Sequence, residues 1–121
     1  MELTPLNQPG RQVIERHGPS GFCVSGTVYL GAVLVFPDRT LLWEAAAMSE
    51  AGLAPVVAHG GVELLLLGLG RQMAPVAPAL RLALKTHGIA VEAMATGAAC
   101  RTYNVLLAED RRVAAALLPP V

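Results

Sequence analysis

The sequence has few residues of the kinds that bind metals, form disulfides or act as nucleophiles. Its two cysteines, Cys23 and Cys100, have no CxxC spacing and no histidine close in sequence, so neither a zinc site nor a thioredoxin-like pair is indicated. We expect two reduced, buried thiols, because free cysteine behaves as a small hydrophobe. The three histidines are too scattered for a local metal motif, and no metal or cofactor is predicted.

Long apolar runs and an excess of one charge are also lacking. The most apolar segment, 62–69, contains Glu63 and is much shorter than the roughly 18 residues that span a bilayer. The N-terminus carries Glu2 and early prolines where a secretory signal has basic and apolar regions, so the predicted compartment is the cytoplasm. Acidic and basic residues number 9 each, so the neutral chain lacks the positive field of a nucleic-acid-binding protein. The sequence therefore predicts no membrane span and no nucleic-acid partner.

Apolar residues, in contrast, are abundant. They make up 54% of the 121 positions, enough for a sizeable core that needs no metal or disulfide. We predict a single domain over 1–121, with an irregular arm over 1–10 because two prolines and a glycine oppose regular structure there. The same abundance is compatible with a homo-oligomer that buries part of this surface between copies.

The first half of the chain predicts a meander of short antiparallel strands. β-Branched and aromatic residues recur at near period-two spacing over 12–35, interrupted by glycine and proline turns. A further strand is predicted over 40–43, with Leu42 and Trp43 in the core. The alanine-rich segment 48–59 ends at two glycines and predicts a short helix, although a glycine and a proline weaken its middle.

The second half predicts alternating strands and helices, which favour parallel βαβ units covered on both faces. The predicted elements are a strand over 62–67, a helix from about Pro75 or Pro78 to Thr86, a strand over 89–94, a helix capped by Thr96 and running to Glu109, and a strand over 112–118. The predicted fold class is therefore α/β: a three-layer domain with a mixed central sheet, an antiparallel β-meander in the N-terminal half and βαβ units in the C-terminal half.

Glycines follow the first of these buried strands, where phosphate-binding loops occur. Gly68 and Gly70 would let backbone N–H groups approach an anion. A dinucleotide-binding fingerprint would need a third glycine at the position of Met73, and prolines delay the following helix. The favoured interpretation is a tight strand-to-helix connection that needs backbone freedom, with nucleotide binding as the alternative.

Polar residues follow both predicted parallel strands. The carboxyl ends of parallel neighbours meet at one edge of a sheet, where open α/β proteins bind ligands. The start of the last helix adds free N–H groups and a favourable dipole for an anion. We predict a ligand-binding cleft at this edge, lined by Gly68, Gly70, Arg71, Gln72, Thr96, Gly97, Arg101 and Asn104. The alternative is that Arg101 and Asn104 tie the helix to the sheet and loops through buried hydrogen bonds.

The last helix also contains a cysteine and a tyrosine. Cys100 lies in the first turn, where the helix dipole favours a thiolate, but no histidine is placed beside it by the sequence. No catalytic residue is therefore predicted. Tyr103, like Trp43, is expected in the core with its polar tip hydrogen-bonded.

The segment 91–106, which reads VEAMATGAACRTYNVL, resembles the signature of a small-domain family that includes mitochondrial NADH dehydrogenase (complex I) assembly factor 3. The segment 109–119 resembles the closing strand of that family, and weaker likeness extends the resemblance to about 11–119. Family members often have threonine at the position of Leu69, so this chain lacks a hydroxyl that could contact a ligand. The resemblance implies a three-layer α/β fold with a mixed sheet, as the pattern does.

The resemblance also implies a function, although it carries over no catalytic residue. Mitochondrial members are assembly factors, and bacterial members are mostly uncharacterised. We therefore predict a non-enzymatic interaction protein, an assembly or maturation accessory for respiratory or other membrane complexes that binds a protein partner. The alternative is a small-ligand or anion-binding protein, or a weak enzyme, that uses the predicted cleft. An exposed apolar patch would favour the first function, and a pocket with converging polar groups would favour the second.

Overall fold

A computed structural model describes residues 11–72 and 74–120; the predicted arm over 1–10 and the position of Met73 lie outside the described residues. The elements in chain order are β1 (Ile14–Gly18), β2 (Gly21–Val24), β3 (Thr27–Leu30), β4 (Val33–Val35), β5 (Thr40–Leu42), α1 (Ala54–His59), β6 (Leu64–Leu69), α2 (Pro78–Lys85), β7 (Ala90–Met94), α3 (Thr96–Ala108) and β8 (Val113–Leu118).

A five-stranded mixed sheet forms the centre of the fold, as predicted. Its strand order is β5-β4-β8-β6-β7. The strands β8, β6 and β7 run parallel, whereas β4 pairs antiparallel with both β8 and β5. The C-terminal strands alternate with helices and supply the parallel part, because a parallel connection needs a crossover.

The predicted N-terminal meander is divided between two sheets. The strands β1, β2 and β3 form a separate antiparallel sheet, while β4 and β5 join the central sheet. Gly31, with a φ of 107°, lies between β3 and β4, where the chain changes sheet. Period-two spacing identifies strands but does not say which strands pair, so this division was not visible in the sequence.

Both faces of the central sheet are buried. On β8, Ala114 and Ala116 belong to the core that packs against α1 and α2. The alternate residues of β8, among them Leu117, belong to a second core that contains Phe22 of β2 and Tyr103 of α3. The protein therefore has three layers: α1 and α2, the central sheet, and α3 together with the three-stranded sheet.

Two expectations for the middle of the chain were wrong in detail. The predicted helix over 48–59 is restricted to α1, because Pro55 lies in the first turn, where a missing N–H costs nothing. Leu42 is 53% exposed instead of buried, since β5 is an edge strand. Trp43 is buried as predicted, and its indole Nε1 donates to the carbonyl of Gly52 at 2.8 Å.

Candidate functional site

The predicted site lies at the carboxyl edge of the parallel strands. Gly68 of β6 is opposite Met94 of β7 on one side and opposite Leu117 of β8 on the other. The loops that follow the three strands therefore meet at one edge, as expected from a parallel arrangement.

Thr96 connects these three strand ends. Its hydroxyl accepts a hydrogen bond from the N–H of Gly70 at 2.8 Å and donates to the carbonyl of Leu118 at 2.6 Å. Its own backbone N–H donates to the carbonyl of Gly70 at 2.8 Å. The expected capping role of Thr96 is wrong, because Ala95 occupies the N-cap and no side chain caps α3. Thr96 has no exposed surface, so its hydroxyl serves the fold at this edge.

The two loop glycines allow close approach of the backbone. A Cβ added to Gly68 would lie 2.8 Å from Leu117 Cδ2 and 3.2 Å from Thr96 Cα, so α3 packs directly against the strand at this point. Gly70 has a φ of 92°, which favours glycine. The geometry supports the interpretation of this loop as a tight connection.

Asn104 connects α3 to the three-stranded sheet. Its Oδ1 accepts from the N–H of Ile14 at 3.0 Å, and its Nδ2 donates to the carbonyl of Ile14 at 2.8 Å. Both ends of the amide group thus bind one residue of β1. This is the structural tie that sequence reasoning considered as the alternative to ligand binding.

The remaining predicted residues lie on the surface. Arg71, Gln72 and Arg101 are exposed, and their side chains form no hydrogen bond or ion pair within residues 11–72 and 74–120. A Cβ on Gly97 would lie 3.3 Å from His17 Cε1 and 3.5 Å from Arg101 Nη1, so the structure adds a histidine to the first turn of α3. Sequence reasoning missed His17, because its proximity depends on packing between β1 and α3. Ligand binding at this edge stays a prediction for these surface residues.

Cys100 is unsuited to nucleophilic chemistry. The residue is 3% exposed, and this burial raises the pKa of its thiol to about 12, although the charge of Arg101 opposes the shift. The thiol is therefore protonated at neutral pH, and a thiol is a much weaker nucleophile than a thiolate. Cys23 and Cys100 are free and buried, as expected. In the described part of the chain, no group of three or more His, Cys, Asp or Glu side chains could hold a metal ion.

A concavity lies at the opposite edge of the sheet, where β6 and β8 begin and where α1 and α3 end. We call it the amino-edge cleft; its volume is about 430 Å³. Its lining residues are Arg11, Pro37, Asp38, His59, Gly60, Gly61, Val62, Leu107, Asp110, Arg111, Arg112 and Val113. They come from five segments of the chain, so sequence spacing contained no signal for it.

Exposed apolar side chains lie on two edge strands. Val28 and Leu30 of β3 are 63% and 73% exposed, and Leu42 of β5 is 53% exposed. Leu30 and Leu42 line one groove, next to Trp43. We call Val28, Leu30 and Leu42 the edge-strand patch. Each strand is the last of its sheet, so one side of its backbone has no neighbouring strand within the described fold.

None of the helices in the described residues is long and apolar enough to cross a membrane.

Solved structures of bacterial proteins share this fold. A Bartonella henselae protein described as an outer membrane protein is 33% identical, with a TM-score of 0.83 over 92% of this chain and 97% of that one. A Bordetella parapertussis protein is 32% identical, with a TM-score of 0.82 over 91% and 97% of the two chains. A Bordetella pertussis protein described as an Mth938-like domain has a TM-score of 0.75 at 26% identity over 99% and 93% of the chains. The class of protein is thus a three-layer α/β protein with an Mth938-like fold.

The chain belongs to the family described as protein of unknown function (DUF498/DUF598), whose model matches residues 14–118. An uncharacterised protein of Rhodobacter capsulatus is 37% identical over 91% of this chain and 86% of its own length. The NADH dehydrogenase [ubiquinone] 1 alpha subcomplex assembly factor 3 of Danio rerio is 34% identical over 89% of this chain. This chain spans 64% of that zebrafish protein. The resemblance inferred from the sequence is confirmed.

Proposed function

We propose that this protein is a non-enzymatic accessory factor that binds a protein partner during the assembly or maturation of a larger complex. Relatives named as assembly factors of NADH dehydrogenase support this role. A respiratory or other membrane complex is the proposed target, and the cytoplasm is the proposed compartment. Neither the buried thiol of Cys100 nor the internal hydrogen bonds of Thr96 and Asn104 support a catalytic alternative.

The observation that carries the proposal is the edge-strand patch. A strand at the edge of a sheet can pair with a strand of another chain through its unpaired N–H and C=O groups. Here two such edges lie close together, because Leu30 of β3 and Leu42 of β5 line one groove. Exposed apolar side chains beside an open edge add hydrophobic burial to that pairing. The surface therefore suits a partner that presents an extended apolar segment.

A second candidate function is ligand or anion binding at the carboxyl edge. It is favoured by the exposed side chains of Arg71, Gln72 and Arg101, which have no partner in the described part of the chain, and by the nearby His17. Replacing both arginines by alanine should then abolish binding of a small molecule that copurifies with the protein. The same double variant should leave capture of a protein partner unchanged if the edge-strand patch is the functional surface.

The experiment that tests the primary proposal is affinity capture from the native host, followed by native mass spectrometry. We expect the wild-type protein to retain a subunit of a larger complex. The Leu30→Glu/Leu42→Glu variant should recover about tenfold less of that subunit, or still less, as expected when residues central to an interface are changed. Leu82→Glu is the matched control, because Leu82 is 64% exposed on α2, away from the patch. Circular dichroism and thermal unfolding check that both variants fold.

Two outcomes would contradict the proposal. Retention of the partner by the Leu30→Glu/Leu42→Glu variant would show that the edge-strand patch is not the binding surface. The wild-type protein could instead appear only as a homodimer, with no other protein bound, and the double variant only as a monomer. That result would assign the patch to self-association.

A further inference from the structure

The amino-edge cleft contains more cationic than anionic side chains. Arg11 forms an ion pair with Asp110 (Nη1 to Oδ1, 3.2 Å), and its Nη2 donates to the carbonyl of Leu107. Asp38 is bound by His59, with 2.7 Å between Oδ1 and Nε2. Arg111, by contrast, has no side-chain partner within the described residues. Each carboxylate of the cleft is therefore paired with a basic side chain, and the guanidinium of Arg111 remains available to an anion.

The backbone of the same cleft presents amide donors. Gly60 and Gly61 have φ values of 78° and 75°, and a Cβ at either position would meet nothing within 4 Å, so the segment borders open space. The N–H groups of Gly61 and Val62 form no hydrogen bond among the described residues. Adjacent backbone N–H groups with no partner in the protein can bind an anion.

Tyr103 adds a buried hydroxyl close to this cleft. The residue has no exposed surface, and its hydroxyl has no hydrogen-bond partner among the described residues. The pKa of Tyr103 is raised, and burial is the largest cause. The charge of Arg11 lowers this pKa and that of Asp38 raises it, so the phenol lies within electrostatic range of two cleft residues. Tyr103 is also one helical turn before Leu107, which lines the cleft. The expectation of a hydrogen-bonded tip is therefore wrong for Tyr103 within the described structure, and an unpaired buried hydroxyl costs about 1–3 kcal/mol.

We propose that the amino-edge cleft binds a small organic anion, whose carboxylate or phosphate group is held by Arg111 and the amides of Gly61 and Val62. The hydroxyl of Tyr103 is buried and is not among the lining residues, so the hydrogen bond that it donates to the same ligand requires the lining to open over it. The cleft falls in the range of about 300–1,000 Å³ that is usual for small-molecule sites. His59 forms a rigid wall, because its ring stacks on Phe36 with centroids 4.1 Å apart and binds Asp38. This site is independent of the edge-strand patch.

The test is a titration followed by ¹⁵N–¹H NMR at constant ionic strength, with inorganic phosphate in one series and succinate in another. We expect saturable shifts of the Gly61 and Val62 amide signals. Arg111→Ala should weaken binding by about tenfold or more, as expected for loss of a charge-assisted hydrogen bond. Arg16→Ala is the matched control, since it removes an exposed arginine of β1 that does not line the amino-edge cleft. Saturation by only one of the two anions identifies the group that the site recognises.

Three results would overturn the proposal: no saturation with either anion, equal affinity of Arg111→Ala and the wild type, or an equal loss of affinity in Arg111→Ala and Arg16→Ala. Tyr103→Phe provides a second readout, because it removes one oxygen and keeps the ring. We expect it to raise the melting temperature of the unliganded protein and to weaken anion binding. Unchanged affinity of Tyr103→Phe would overturn the assignment of this hydroxyl to the site.

Discussion

At the scale of single residues, hydrogen bonds distinguish polar side chains that hold the fold together from those that are available to a ligand. Thr96 joins the ends of β6 and β8 to the start of α3, and Trp43 holds the loop before α1 through Gly52. Tyr103 is equally buried but lacks such a partner in the described residues. The first two side chains are therefore structural, and Tyr103 is the one that we assign to a ligand.

Replacing Thr96 by valine should destabilise the protein by about 1–3 kcal/mol, because it removes the hydroxyl that pairs with the buried N–H of Gly70 and the part-buried carbonyl of Leu118. Urea-induced unfolding measures the change. Thr96→Ser keeps the hydroxyl and should cost less than Thr96→Val. A greater loss in Thr96→Ser would show that the methyl group, and not the hydroxyl, stabilises this edge.

At the scale of elements, the parallel half of the fold agrees best with its sequence pattern. The observed bounds of β7, α3 and β8 differ from the predicted ones by one residue at most, and α2 begins at Pro78, the later of the two predicted starts, and ends at Lys85, one residue early. In these segments, apolar periodicity and the flanking glycines and prolines are local signals. The helix predicted over 48–59 forms only over Ala54–His59, because Pro55 can occupy the first turn of a helix but not its interior.

Packing of α3 on β6 depends on Gly68. We expect Gly68→Ala to destabilise the protein by about 1–3 kcal/mol, since an added methyl group overlaps Leu117 and Thr96 and forces them apart. Thermal unfolding measures the effect. Gly18→Ala is the control, because a Cβ at Gly18 of β1 meets nothing within 4 Å. Similar melting temperatures for the two variants would contradict the close approach of α3 to β6.

At the scale of the whole molecule, the three-stranded sheet is attached to the rest through one face. Phe22 and Val24 of β2 share a core with α3 and the central sheet, and Asn104 binds Ile14 across 90 residues of sequence. This layer is therefore expected to open more readily than the central sheet, whose strand β8 has a neighbour on each side.

Asn104→Asp should release the three-stranded sheet selectively. The new carboxylate oxygen would replace Nδ2 and face the carbonyl of Ile14, so one hydrogen bond is exchanged for repulsion. We expect amide hydrogen exchange in β1–β3 to accelerate by about tenfold or more, with a smaller change in β6 and β8. Val105→Asp adds the same charge on the exposed side of α3 and is the control. Equal acceleration in both sheets would show that the molecule opens as one unit.

The sequence by itself determined the fold class, the parallel half of the sheet and the family. Hydrophobic periodicity, turn residues and the motif over 91–106 are local along the chain and can be recognised without knowing what packs against them. Only the tertiary structure decided how the strands divide between two sheets, where Thr96 and Asn104 direct their hydrogen bonds, and which residues form the amino-edge cleft. These features depend on contacts between residues far apart in sequence, such as Arg11 with Asp110 and Asp38 with His59, and no spacing along the chain encodes them.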